Sequence, residues 1–412
     1  MSAGHNLFRL SNPIRDYAWG SQTFIQQLLA DDSERRAEPN APAAELWHGA
    51  HPAAPSQLAG MGMDLSSAIA QDPVTMLGRR TAERFGNTLP FLMKVLAADQ
   101  ALSIQAHPTL AQAQSGFAEE QMRGIALDAP ERNYVDPNHK PELICALTDF
   151  DALCGFRTVG ETLDFLAALI AQGAAELTSL RERLSDAAAL PDVVAAILRW
   201  PSGERAAVIG SLARAAARIA EEQGRWAPEC EWICRLAREY PEDTGVVLSL
   251  LMNLVRLGPG QAIFLAAGQI HAYLRGAGIE ILAASDNVLR GGLTPKHIDV
   301  EELLRILDFT AGPVSVLVPR PVDPDRRRVR FEVPVDDFCL ERVILPSGVS
   351  MTIEADGPRI LLCVQGEIEL RSEGEQLQLQ RGESVFVPAD RDLELDGAGE
   401  LFLAAPGPRV VF

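Results

Sequence analysis

The chain has 412 residues, which exceeds the size of one ordinary hydrophobic core and predicts two or three domains. Its 47% of hydrophobic residues indicates a globular protein, and its formal charge of −19 argues against binding to nucleic acid or to an anionic membrane surface. No apolar run approaches the ~20 residues of a membrane span, and the N-terminus lacks a signal-peptide pattern. Six cysteines in a chain of this size do not indicate a disulfide framework, so we expect a reduced, cytoplasmic compartment.

Residues 1–155 are rich in proline and glycine, and their short apolar stretches favour strands with some helix. Within them, LSIQAHPT predicts a short strand, since apolar residues at positions 102, 104 and 106 alternate with Ser103, Gln105 and His107. Side chains two residues apart on a strand share a face. We therefore expect Gln105 and His107 to point the same way.

The segment YVDPNHKPEL, Tyr134–Leu143, places His139, Lys140 and Glu142 within a few residues of one another. Its two prolines fix their own φ and push the preceding residues out of the helical region, so the segment should be extended with its polar side chains held in place. A proton donor, a cation and a carboxylate at this spacing suit acid–base chemistry on a small polar substrate. A solvated loop is the alternative interpretation.

A helical block is predicted next, because apolar residues recur at three- and four-residue spacing from Thr158 onward. Strand character resumes near Gln261, after a turn of sequence LGPG. This order predicts a helical domain of residues 156–255 inserted into a catalytic β domain formed by residues 1–155 and 256–318. Such an insertion explains how segments that are distant in the sequence can converge on one site.

Residues 319–412 alternate short strands with Gly, Pro and Asp turns. The segments VQGEIEL and LQRGESVFVPA resemble the glycine-marked strand pairs of cupin jelly rolls. Cupins often bind metal through histidines, but the last histidine of this chain is His297. We therefore predict a C-terminal jelly roll without metal. The predicted fold class is mainly β, with two cupin-type jelly rolls (a bicupin) and an inserted α-helical domain.

A metal site is predicted from four residues that lie far apart in the sequence. Gln105 and His107 share a strand face, Glu142 ends the proline-rich segment, and His271 lies in the apolar strand of GQIHAYL. Borderline ions such as Zn²⁺ accept imidazole nitrogen and carboxylate oxygen together. Glutamine is an unusual zinc ligand, so the chemistry alone favours the two histidines and the glutamate more strongly.

Several motifs resemble the type I phosphomannose isomerase family. YVDPNHKPEL is similar to the family signature, and further similar segments are SIQAHP, GQIHAYL, SDNVLRGGLTPK, NPIRDYAWGS, AELWHGAHPAAPS and PFLMKVLAA. The resemblance implies the interconversion of mannose 6-phosphate and fructose 6-phosphate with one Zn²⁺ per chain. Carried over by motif, the zinc ligands are Gln105, His107, Glu142 and His271. Two departures touch no ligand: Gly291 stands where alanine is usual, and His48 where an apolar residue is commoner.

The resemblance also implies residues for the reaction, which would pass through a cis-enediol. It marks Arg290 as an active-site residue, whose planar fork suits sugar oxygens or phosphate. Lys140 could act as a base only if its pKa is lowered, and it is otherwise an electrostatic clamp. Glu280 is either a pocket residue, as family usage implies, or a structural residue of its strand. The full catalytic set that we predict is Arg290, Lys140, His139, Asp286 and Glu280.

Substrate contacts are predicted from polar residues in apolar surroundings. Lys94 interrupts the apolar run FLMKVL, and because a buried charge needs a partner we expect it to bind the phosphate together with Ser103. Trp19 and Glu45 could line the sugar site or could pack structurally. Three further histidines near the motifs receive no ligand role, since the four-ligand set is complete. They are His48, His51 and His297.

Two alternatives remain open. An Fe(II) dioxygenase could use His107, Glu142 and His271 as a two-histidine, one-carboxylate triad, although oxygen chemistry has no use for a phosphate grip. A non-enzymatic sugar-binding bicupin could have discarded Lys140 and Arg290, which this chain keeps. The leading prediction is a zinc-dependent isomerase that acts on a small sugar phosphate as a cytoplasmic monomer.

Overall fold

The computed structural model describes residues 6–29 and 41–408, so the chain ends and residues 30–40 of the predicted domains lie outside it. Up to Phe156 the described chain consists of strands with intervening helices. The strands are β1 Phe8–Ser11, β2 Ile14–Arg15, β3 Glu45–His48, β4 Gln57–Leu58, β5 Met63–Asp64, β6 Phe91–Ala98, β7 Ile104–Ala106, β8 Glu142–Ala146 and β9 Phe150–Phe156. The helices are α1 Phe24–Leu28, α2 Leu65–Gln71, α3 Pro73–Leu77, α4 Arg79–Phe85 and α5 Leu110–Met122.

A run of helices follows β9. They are α6 Val159–Ala171, α7 Thr178–Arg183, α8 Leu190–Leu198, α9 Ser202–Glu221, α10 Ala227–Glu239 and α11 Gly245–Leu248, with 3₁₀ turns at Ala175–Leu177, Ala187–Ala189 and Ser249–Leu251. The Thr158 side chain caps α6 by accepting the Glu161 N–H, and prolines stand in the first turns of α8 and α10. The apolar faces of these helices share one core with Ile104 and Leu289, so this core reaches the strands beside the predicted site.

Strands resume after the helices and complete the sheet that carries the site. They are β10 Met252–Leu257, β11 Ala262–Leu265, β12 His271–Ala283 and β13 Leu289–Gly292, followed by helix α12 Val300–Ile306. In the described chain they join β2, β3 and β6 to β9 in a ten-stranded sheet, and β12 pairs with β6, β7, β8 and β9. His271 lies opposite Gln105 and Glu280 lies opposite Lys94 in this register, so one strand gathers residues that are distant in the sequence.

The last part of the described chain is a second, antiparallel sheet. Its strands are β14 Arg320–Pro321, β15 Arg328–Phe331, β16 Cys339–Leu345, β17 Met351–Ile353, β18 Arg359–Ser372, β19 Glu375–Gln380, β20 Ser384–Val387 and β21 Leu393–Ala405. Strands β1, β4 and β5 complete it, and Phe8 of β1 lies opposite Phe386 of β20. The first described strand therefore pairs with the C-terminal sheet. The division into domains at residues 155, 255 and 318 remains a prediction.

The predicted fold class is confirmed in its main feature, since two large sheets dominate the molecule and the helical block is inserted between β9 and β10. A core that includes Leu10, Ile279 and Phe386 draws side chains from both sheets and joins them. Among the described helices, none combines the length with the apolar character needed to cross a membrane.

The acid–base segment Tyr134–Leu143 is anchored by the packing of Tyr134 against Gly116 of α5. A Cβ at this position would lie 2.3 Å from the ring of Tyr134, which is buried and donates its hydroxyl to Glu302. We expect Gly116→Ala to displace Tyr134 and to lower the free energy of unfolding by about 1–3 kcal/mol, measured by urea denaturation. The matched control is Gly210→Ala in α9, where the new Cβ would meet only a flexible arginine tip 3.5 Å away. Equal destabilisation by both variants would contradict this view of the anchor.

Candidate active site

A polar cavity of about 530 Å³ opens against the sheet that contains β12. Both charged and aromatic side chains line it, as expected for a site that binds a small polar molecule. The predicted site residues in its lining are Trp19, Glu45, Lys94, Ser103, Gln105, Lys140, Glu142, Glu280, Asp286 and Arg290. The structure therefore brings ten of the predicted residues to one cavity, although their roles remain predictions.

Three buried side chains form a cluster at this cavity. The Nε2 atoms of His107 and His271 lie 3.3 Å from the two carboxylate oxygens of Glu142, one on each oxygen. The ligand atoms of all three residues lie within 4.8 Å of one another. The Nε2 of Gln105 lies 3.4 Å from the Nε2 of His271, and the oxygen and nitrogen of an amide are exchanged by a simple flip. The four predicted ligands thus converge on one point.

Backbone contacts prepare the two histidines as nitrogen ligands. Nδ1 of His107 lies 2.7 Å from the carbonyl of Asn287, and Nδ1 of His271 lies 2.9 Å from the carbonyl of Gln269. A carbonyl only accepts, so Nδ1 carries a proton in each ring, and in the neutral tautomer Nε2 has its lone pair free on the side of Glu142. Burial lowers the pKa of His107 to about 4, which keeps the ring neutral near pH 7.

The chemistry of this donor set fits a Zn²⁺ ion. Among the described residues, Nε2 of His107 and Oε2 of Glu142 are buried without a hydrogen-bond partner, a costly state that a cation at their centre would relieve. Burial acts to raise the pKa of Glu142, but His107 and the Lys140 ammonium outweigh it and hold the pKa well below its usual range. Two imidazoles, a carboxylate and an amide oxygen are acceptable zinc ligands.

A second buried cluster contains Lys94 between two carboxylates. Its Nζ lies 3.4 Å from Oε1 of Glu45 and 3.2 Å from Oε2 of Glu280, and the three residues are 3–6% exposed. Burial disfavours the ammonium, but the carboxylates prevail and raise the pKa of Lys94. Burial also raises the pKa of Glu280 against the opposing effect of Lys94. Lys94 is therefore already ion-paired within the cavity wall.

Two further cations line the cavity, and neither is ion-paired with a carboxylate among the residues that the structure describes. Arg290 and Lys296 both line it, and the positive charge of Arg290 lowers the pKa of Lys296, with a further contribution from burial. Thr294 and Ser103 supply hydroxyl groups in the same lining. Two cations that repel each other form a natural binding site for an anion placed between them.

Lys296 is a residue that the sequence prediction missed, although the sequence carries a signal for it. Only three of the 37 basic residues are lysines, namely Lys94, Lys140 and Lys296, and all three line this cavity. All other basic residues are arginines, so the three lysines mark positions where a compact ammonium group matters. Tyr273 was also missed; it lies two residues after His271, and burial raises its pKa well above the usual value.

His139 lies apart from the other predicted catalytic residues. Its Nε2 is 3.0 Å from Oδ2 of Asp337, and both side chains line a separate cavity with Arg84 and Asp336. Neighbouring side chains of an extended segment point to opposite sides, which explains why Lys140 faces Glu142 while His139 faces the C-terminal part of the chain. The structure therefore does not bring His139 to the cavity that contains Lys140.

Comparison with known proteins agrees with this arrangement. Residues 7–159 match the model of the phosphomannose isomerase type I catalytic domain, and residues 328–406 match that of the mannose-6-phosphate isomerase cupin domain. The chain is 40% identical to the mannose-6-phosphate isomerase of Escherichia coli over 95% of this chain and 98% of that protein. It is 34% identical to the Rattus norvegicus protein of the same name over 95% of this chain and 96% of that one.

Solved structures show the same likeness. A lysine-to-alanine mutant of phosphomannose isomerase from Salmonella typhimurium superimposes with a TM-score of 0.87 and 37% identity, over 98% of this chain and 100% of that one. A zinc-bound mannose 6-phosphate isomerase superimposes with a TM-score of 0.86 at the same identity and coverage. The fold and the site thus define a cupin-type protein with a buried nitrogen and carboxylate cluster beside a polar cavity. The chain belongs to the type I phosphomannose isomerase family, which confirms the predicted family and its cupin fold.

Proposed function

We propose that the protein interconverts mannose 6-phosphate and fructose 6-phosphate with one bound Zn²⁺. The observation that carries the proposal is the buried cluster of His107, Glu142 and His271, next to a cavity that contains every lysine of the chain. The identity of 40% to a mannose-6-phosphate isomerase over nearly the whole length supports the same reaction. Net charge and family resemblance further favour a monomer that acts on a small sugar phosphate, and the cysteine usage favours a reduced cytoplasm.

We assign the zinc site to Gln105, His107, Glu142 and His271. Backbone carbonyls orient both imidazoles, the lowered pKa of His107 keeps that ring neutral near pH 7, and the lowered pKa of Glu142 keeps its carboxylate ionised for a metal. A bound Zn²⁺ would supply Lewis-acid stabilisation of charge on the sugar oxygens. Lys140, whose Nζ lies 3.4 Å from Oε1 of Glu142, would add a second positive group next to the metal site.

We assign proton movement to three titratable groups of the cavity: Glu280, Lys140 and Asp286. Isomerisation moves one proton from C2 to C1 and another from O2 to O1, and a cis-enediol is the species between the two steps. A carboxyl group with a raised pKa, such as Glu280, is suited to take and return a proton near neutral pH. His139 is left out of this set because its ring faces Asp337.

We assign the phosphate to Arg290 and Lys296 rather than to Lys94, because Lys94 is ion-paired with two carboxylates. We expect Lys296→Met to raise KM about 10–100-fold, the cost of one charge-assisted contact, and to weaken competitive inhibition by inorganic phosphate equally. The matched control is Arg320→Met, which removes an exposed positive charge paired with Glu332 outside the cavity. If Arg320→Met raised KM equally, the effect would come from the overall electrostatic field of the protein and not from a contact in the cavity.

A coupled assay for fructose 6-phosphate formed from mannose 6-phosphate tests the proposed reaction. The assay is run on metal-stripped protein with and without added Zn²⁺. Turnover that returns with zinc supports the isomerase, and labelled solvent should then exchange into the carbon-bound position of the product. Folded, zinc-loaded protein without turnover would contradict the proposal.

A further inference from the structure

His51 lines a neighbouring cavity, which shares Asp286 with the substrate cavity, and neither the zinc site nor the proton-transfer set contains it. It is 8% exposed in the loop between β3 and β4, and its ring packs edge-on against Trp47 with 5.0 Å between the ring centroids. Its Nε2 lies 3.2 Å from Oδ2 of Asp286. Asp286 is about half exposed and lines both cavities, so a buried imidazole supports a carboxylate that reaches the substrate cavity.

The backbone fixes the tautomer of this histidine. The N–H of Ala53 donates to Nδ1 of His51 at 3.3 Å, so Nδ1 is an acceptor and carries no proton. The proton of the neutral ring is therefore on Nε2, which donates to Asp286. The ring is held from two further sides, by its short loop and by Trp47, so the direction of this donated hydrogen bond is set before a substrate arrives.

Asp286 is held at its backbone as well as at its side chain. Its N–H donates to Oδ2 of Asp136 at 2.8 Å, and the hydroxyl of Ser285 donates to Oδ1 of the same aspartate at 2.9 Å. These contacts fix the main chain, but a carboxylate can still rotate about its own side-chain bonds. The donation from His51 to Oδ2 removes that freedom and leaves Oδ1 of Asp286 for a sugar hydroxyl.

We propose that His51 is a positioning residue that orients Asp286 toward the sugar. The inference rests on the proposed role of Asp286 in proton movement. A carboxylate held in its productive direction avoids the loss of rate that a misplacement of about 1 Å causes. Burial acts to raise the pKa of Asp286, while the hydrogen bond from His51 and the charges of Lys140 and Lys94 lower it below its usual value, so the carboxylate stays ionised as the role requires.

The test compares His51→Leu with His51→Gln in the full-length, zinc-loaded protein. Leucine fills a similar volume without a donor, whereas the amide nitrogen of glutamine reaches the place that Nε2 occupies. We expect His51→Leu to lower kcat on the order of 10–100-fold with little change in KM, and His51→Gln to recover most of kcat. Zinc content and Tm are measured for both variants. In an Asp286→Asn background, His51→Leu should cause no further loss, since it acts through Asp286.

Each other outcome overturns the proposal in a recognisable way. Full activity of His51→Leu would show that the hydrogen bond does not matter. Equal loss in the leucine and glutamine variants, together with a lowered Tm, would assign His51 a merely structural role. Additive losses in the Asp286→Asn background would show that His51 acts elsewhere. An active Asp286→Asn variant would remove the proposed role of Asp286 itself, while turnover by the wild-type protein would leave the isomerase function standing.

Discussion

Replacing Glu142 with alanine is expected to abolish both zinc binding and turnover. Glu142 is the only anionic group within the cluster of His107, Glu142 and His271, and its two oxygens each lie 3.3 Å from one histidine Nε2. Without Glu142 the cluster keeps two imidazoles and an amide but no anionic ligand, and the Lys140 ammonium group would then repel a divalent cation. We expect zinc content to fall from one ion per chain to near zero, with an affinity loss of more than about 100-fold. Metal analysis after dialysis measures this without reference to activity.

Glu341 provides the matched control for this experiment. It is as deeply buried as Glu142 but lies in β16, where it is ion-paired with Arg328 and Arg330. Glu341→Ala should lower stability, because it leaves two arginines without their partner, yet it should retain one zinc per chain. A Glu142→Ala protein that keeps its zinc would place the metal elsewhere in the molecule.

Replacing Lys94 with methionine is expected to destabilise the folded protein by about 3–5 kcal/mol and to lower kcat, because Glu45 and Glu280 would remain buried without their cation. The variant can recover only by protonating one carboxyl, which raises that pKa in the folded state above the unfolded value. Stability from such a group is present below the unfolded pKa of about 4.3 and is lost as the pH rises. Urea denaturation between pH 4 and pH 8 should therefore show the defect growing with pH.

A double variant separates charge from packing in this cluster. Lys94→Met combined with Glu280→Gln leaves a single buried carboxylate, so part of the lost stability should return and the pH dependence should weaken. Activity should stay low, since Glu280 belongs to the proposed proton-transfer set. If the double variant is less stable than Lys94→Met alone, repulsion between Glu45 and Glu280 is not the cause of the defect.

The strand and loop motifs predicted much of the site because their chemistry is local. Alternation around Gln105 placed two side chains on one face, and the prolines around Lys140 predicted an extended segment. The convergence with His271 depends on pairing across β12, which a single sequence does not specify, and family resemblance supplied it. The prolines also predicted that the side chain of His139 is held in one direction. They did not specify that direction, because an extended backbone sends successive side chains to opposite sides.

Other features required the three-dimensional structure. Lys94 was predicted to bind phosphate as an unusual buried charge, but its two partners come from β3 and β12, far away in the chain. His51 received no ligand role because the four-ligand set was complete without it, and nothing local in the sequence links it to Asp286. The pairing of β1 with β20 was likewise not predicted, since the sequence of a short strand does not reveal which distant strand it pairs with.

Because all three lysines line the cavity, reagents that modify lysine side chains can act only there. Reagents that acylate amines meet three lysines and the N-terminal amine in the whole chain, and of these lysines only Lys296 is exposed. The pKa of Lys296 is lowered by Arg290, which increases its reactive neutral fraction. Among the lysines, an amine-directed dye or cross-linker would therefore attach at Lys296, in the lining of the cavity. If Lys296 binds the phosphate as proposed, labelling at this residue should block the substrate, and a bound ligand should protect it.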